Sequence, residues 1–214
     1  IEDGGGSVSP GSRVVLAGLS ATETIAIAPS NDFNFTFPES VPRANVTLKD
    51  TASISTRGNG GGEIIIYGEN LEILAGSVLE GGIAATSNSL ENQAGDITLN
   101  IQDTVRIAEE SGVLNDVESG AIGNAGNINI TTAKLEVLGN DSSIQANTLG
   151  TGNGGNIFVE ASEGITISNL ETTEVNRFVN GITSIVAANA TGNSGNITLV
   201  TSKLELLQGA QIST

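Results

Sequence analysis

The 214-residue chain contains no cysteine, histidine, methionine or tryptophan. Without cysteine there is no disulfide, thiolate ligand or thiol nucleophile; without histidine there is no imidazole ligand and no Ser-His-Asp relay. The lack of cysteine leaves the redox compartment open, because a secreted protein with enough burial needs no cross-links. Basic residues are scarce as well: 8 Lys plus Arg stand against 24 Asp plus Glu, for a formal charge of -16. Such a surface repels nucleic acid and anionic bilayers at long range, so no nucleic-acid partner is expected. Apolar runs of the roughly 18 residues that cross a membrane are also missing, and the opening Ile1-Glu2-Asp3-Gly4 has no basic or apolar signal region.

What the chain has is glycine, 28 residues of it, and a repeat. Five times a glycine-rich turn runs into an isoleucine: Gly62-Glu63-Ile64, Gly95-Asp96-Ile97, Gly126-Asn127-Ile128, Gly155-Asn156-Ile157 and Gly195-Asn196-Ile197. The isoleucines are 33, 31, 29 and 40 residues apart, and three of the turns read Gly-Asn-x-Gly-Asn-Ile. Self-similarity at such a period specifies a stacked array. Length then says little about domain count, since an array is one elongated body.

Within a repeat the apolar residues alternate in three short groups, the period-two signature of strands. In the third copy these are Ile128 and Ile130, then Leu135 and Val137, then Ile144 and Ala146. Three strands and three turns make one coil, and coils must stack to bury their inward residues. An all-β solenoid with three short strands per coil is therefore expected over residues 44–214. Residues 1–43 read as irregular N-terminal strands continuous with it: Arg13 to Leu16, Ile25 to Ile27 and Phe33 to Phe37, punctuated by Pro38 and Pro42. The closing Gln211-Ile212-Ser213-Thr214 reads as an unfinished coil, so the array is expected to continue in a longer protein.

Equivalent positions form columns. Glu63, Asp96, Asn127, Asn156 and Asn196 precede the isoleucines, and stacked Asn amides there would hydrogen-bond coil to coil. Because acids cannot donate, this ladder is expected in the last three coils only. The glycines beside it are read as suppliers of positive backbone torsions at the corner. On the second strand the outward column is Thr47, Glu72, Arg106, Glu136, Thr166 and Glu205, which puts Arg106 between two glutamates.

No residue pattern points to catalysis, and no catalytic, cofactor-binding or metal-binding residue is assigned. A glycosidase-like site would need two carboxylates with separated pKa values in a groove, and no such pair stands out. Calcium is the lesser alternative, with Asp116, Glu118, Glu109 and Glu110 as first candidates against their reading as a solvated acidic loop. The 40-residue spacing inserts about ten residues between Ile167 and Ile185; insertions on a repeat scaffold often carry recognition, so Glu171, Glu174, Arg177 and Phe178 are the candidate recognition loop.

The segments Gly-Asn-Ala-Gly-Asn-Ile-Asn-Ile-Thr-Thr (123–132), Leu135-Glu136-Val137-Leu138 and Ser143 to Thr148 resemble the repeats of filamentous-haemagglutinin-like exoproteins, especially those of cyanobacteria. Phe35-Thr36-Phe37-Pro38 and Val41 to Leu48 resemble the segment that precedes those repeats. The resemblance implies a right-handed parallel β-helix exported by two-partner secretion, through an outer-membrane transporter that recognises an N-terminal domain not visible here. It also implies display at the cell surface or release as an adhesin-like fibre. Cell-surface carbohydrate, neighbouring cells and other copies of the chain are the partners this suggests. A structural sheath or matrix filament without ligand binding is the alternative, and a polysaccharide-cleaving β-helix a more distant one.

Overall fold

The computed structural model describes residues 6–8, 11–21, 26–28, 34–36, 41–169 and 181–214. These residues form strands and turns, with no helix among them. Among the described residues the strand pairs are parallel except for the antiparallel pairing of Ala26–Ala28 with Asn34–Thr36, and an isolated antiparallel bridge joins Leu19 to Arg43. That strand pairing lies within residues 1–43, the stretch read as irregular N-terminal strands.

The repeat generates three long ladders. The first stacks Val14–Ala17, Ile64–Gly68, Ile97–Ile101, the opening half of Ile128–Leu138, the opening half of Ile157–Ser168, and Ile197–Thr201. The second stacks Val46–Leu48, Leu71–Ile73, Thr104–Ala108, the closing halves of the same two long strands, and Leu204–Leu207. The third stacks Gly6–Val8, Ser53–Ser55, Val78–Ile83, Gly112–Val117, Ser143–Gln145, Gly181–Thr183 and Gln211–Ser213. Strands one and two of a repeat are thus separate in four copies and fused in two. At the fused corner the register shifts between Thr132 and Lys134.

Register follows the repeat residue for residue. Ile64, Ile97, Ile128, Ile157 and Ile197 lie directly beside one another. So do Leu71, Val105, Leu135, Ile165 and Leu204, and likewise Ile54, Leu79, Val113, Ile144, Ile182 and Ile212. These side chains alternate inward into one shared core, where all but those of the last copy are at most 1% exposed. Each contributes about 1.5–3 kcal/mol by burial. Leu204 and Leu206 point the same way but are 45% exposed, since their strand has a neighbour on one side only.

The structure adds a fourth, shorter ladder. Asn88–Gln93 pairs with Ile122–Asn124, and single bridges carry the line on from Ile122 to Thr151 and Thr191. Ile83, Ala94, Val117, Ala121 and Ala125 fill a second small core beneath it. What the sequence presents as one long third turn is therefore itself a stacked segment.

Candidate functional site

The glycine-asparagine turn is the most regular polar structure of the chain. Asn156 donates its backbone N–H and its side-chain Nδ2 to Asn127 Oδ1, both at 3.0 Å. Asn196 does the same to Asn156 Oδ1 at 2.9 and 3.4 Å. Contrary to expectation the ladder extends one rung further, because Asp96 serves as its terminal acceptor, taking Asn127 N at 2.7 Å and Nδ2 at 3.1 Å. An acid cannot donate, but the first rung needs only to accept. Glu63 stands outside this pattern and pairs with Arg13.

A second asparagine ladder runs three residues upstream. Asn153 donates N and Nδ2 to Asn124 Oδ1 at 3.0 and 3.1 Å, and Asn193 donates both to Asn153 Oδ1 at 3.1 Å. The first Asn of Gly-Asn-x-Gly-Asn-Ile was its signal.

The expected positive torsions are found at Gly62, Gly123, Gly152 and Gly192, with φ of 76°, 156°, 139° and 143°, but glycine has a different cause at Gly126, Gly155 and Gly195. A Cβ on Gly126 would lie 2.0 Å from Gly95 O, one on Gly155 1.9 Å from Gly126 O, and one on Gly195 2.1 Å from Gly155 O. Close approach of stacked backbones, not positive φ, excludes a side chain there. These two amide ladders and the glycine column between them join repeat to repeat.

The outward column of the second ladder has the expected register, with Thr47, Glu72, Arg106, Glu136, Thr166 and Glu205 as successive neighbours. Arg106 pairs with Glu136 at 2.8 Å, while Glu72 accepts from Thr47 at 3.4 Å. Downstream a shallow groove of about 270 Å³ opens on this face, lined by Lys134, Glu136, Glu163, Gly164, Thr166, Lys203 and Glu205 around Leu135. Gly164 stands between Lys134 and Lys203, and no heavy atom comes closer than 3.7 Å to where its Cβ would be. Lys134 pairs with Glu163 at 3.1 Å and Lys203 with Glu205 at 3.0 Å. The Glu163 carboxylate holds the Lys134 ammonium above its ordinary value. The groove is thus an open polar surface with both charges and a hydroxyl.

The four acids considered for calcium are not brought together. Glu109 and Glu110 occupy an exposed corner, with φ of 58° and 63°. Asp116 is 5% exposed, so it is no part of a solvated loop. Glu118 pairs with Arg57 at 3.0 Å, and Arg57 also lies 3.6 Å from Glu80. Among the described residues no three carboxylates converge as a metal ion requires. Burial pushes the Asp116 carboxyl from 3.8 to about 6, against the opposing pull of the Asn147 N–H and of Arg57. At its exposure Asp116 offers no face to a polymer substrate. Aligning Val113 with Ile144 places Asp116 opposite Asn147, which was the sequence signal for its buried, stacked position.

The candidate loop residues Glu171, Glu174, Arg177 and Phe178 lie outside the described residues. Comparison with protein-family models, curated proteins and solved structures finds no match.

Proposed function

We propose that the ladders belong to one right-handed parallel β-helix, and that the chain is a segment of a filamentous-haemagglutinin-like exoprotein, exported by two-partner secretion. In this reading the stacked coils are a stiff spacer of an adhesin-like fibre at the cell surface, and the chain is not an enzyme. The observation that carries it is the column Ile64, Ile97, Ile128, Ile157 and Ile197, five repeats paired in parallel and in register. The amide ladders add directional hydrogen bonds along the same axis. Contact with saccharide or another cell is assigned to the inserted loop at 171–178 and to the polar groove around Gly164.

Binding of the purified segment and of the full-length protein to glycan arrays and to cells tests this reading. Retention by either supports adhesion. No binding by both, together with self-association of the full-length protein, would favour a sheath or matrix filament instead. Cleavage of an acidic polysaccharide, lost on carboxylate substitution, would overturn the non-enzymatic assignment.

A further inference from the structure

Asp116 is a rung in a third column of hydrogen bonds, and it is the one titratable rung there. It sits beside Gly82 of the preceding repeat, and its Oδ1 accepts the Asn147 N–H of the following one at 2.5 Å. One step on, Asn147 Oδ1 accepts the Ile185 N–H at 3.0 Å. A neutral amide thus fills the same acceptor role in the next repeat. Stacking requires an acceptor at this place and does not require a charge.

The surroundings decide what the charge does. Acting on Asp116 are Arg57 from the turn of an earlier repeat, Glu80 from Val78–Ile83, and Glu118 just beyond its own strand. The following repeat contributes the neutral Asn147. Arg57 is already shared between Glu118 and Glu80, and its Nε is buried without a hydrogen-bond partner. An ionised Asp116 therefore holds a buried charge that no salt bridge among the described residues neutralises, since the nearest guanidinium is already engaged by two glutamates. A protonated Asp116 removes that charge and keeps its second oxygen as the acceptor for Asn147.

We propose that Asp116 is a proton-operated rung, so that the join between neighbouring repeats is firmer in mildly acidic surroundings than in neutral ones. This goes beyond the fibre reading and stands whether or not the chain binds a saccharide. The sign follows from linkage. In the unfolded chain the carboxyl titrates near 3.8 and in the fold near 6. The folded state holds the proton more tightly, so the stabilisation is complete below about 3.8 and is lost as pH rises through about 6.

Two measurements on the whole chain test it. Melting of wild type and Asp116→Asn is followed from pH 4 to 8. The variant is expected to melt roughly 5 °C higher at pH 7.5, with the gap closing towards pH 4. A gap that stays constant with pH, or a wild type that melts higher at pH 7.5, overturns the proposal. Carboxyl NMR of wild type should give Asp116 a midpoint near 6, moving upward in Arg57→Gln as the one nearby cation is removed. A midpoint near 4, or none of this upward movement, is the contrary result and does not depend on whether Asp116→Asn folds.

Discussion

Asp96 Oδ1 receives two hydrogen bonds from Asn127, one from the backbone N–H at 2.7 Å and one from Nδ2 at 3.1 Å. Each later rung repeats the arrangement with Asn as acceptor, so every interior asparagine both donates to the repeat before it and accepts from the repeat after it. The backbone N–H carries the shorter bond or equals the side-chain one at each rung, which ties the ladder to strand register and not only to side-chain conformation.

Asn156→Ala removes the acceptor of Asn196 and the side-chain donor to Asn127, leaving the backbone N–H bond to Asn127 in place. Because the rung is exposed, the expected loss is modest, about 1–2 kcal/mol by chemical denaturation. Hydrogen exchange at the Asn196 amide should quicken. Unchanged exchange there would mean that the ladder is not formed in solution.

The glycine column makes a sharper contrast. Gly155→Ala forces a Cβ to within 1.9 Å of a backbone carbonyl and should cost about 3 kcal/mol or more. Gly164→Ala meets nothing nearer than 3.7 Å and should be neutral or slightly stabilising. Equal melting temperatures for the two variants would contradict the stacking of these backbones.

Ile130 is fully buried in the shared core. Ile130→Asp places an unpaired charge there and is expected to cost at least about 4 kcal/mol, read as loss of cooperative melting at neutral pH. A wild-type melt would show that this face is not inward.

Arg106 and Glu136 pair at 2.8 Å but are 40% and 34% exposed. A double-mutant cycle should give less than about 1 kcal/mol, falling further in high salt. The pair marks register more than it supplies stability. A coupling well above that figure would assign it a structural weight this exposure does not support.

The inward columns were legible because burial on one face imposes strict alternation, as in Ile128 and Ile130 or Leu135 and Val137. The outward column from Thr47 to Glu205 was legible for the same reason, since fixing one face fixes the other. The fourth ladder was not. Asn88-Ser89-Leu90-Glu91-Asn92-Gln93 is polar on both faces and has no alternation to read. The acceptor role of Asp96 is not legible from donor capacity alone, because the first rung of a ladder needs only to accept. The crowding of Gly155 depends on the distance to the next repeat, which no single copy encodes.

Pairing of successive repeats in parallel and in register is the central claim, and cysteine trapping tests it cleanly in a chain with no cysteine of its own. Thr131 and Glu160 are exposed and directly paired, whereas Phe158 lies two residues away from that pairing on the same face. Parallel neighbours about 4.8 Å apart are within disulfide reach, and the diagonal pair at about 7–8 Å is not. Under mild oxidation the Thr131→Cys, Glu160→Cys chain should form an intramolecular disulfide, and the Thr131→Cys, Phe158→Cys chain should stay reduced. The reverse outcome, or no bridge in either, would contradict the stacked register.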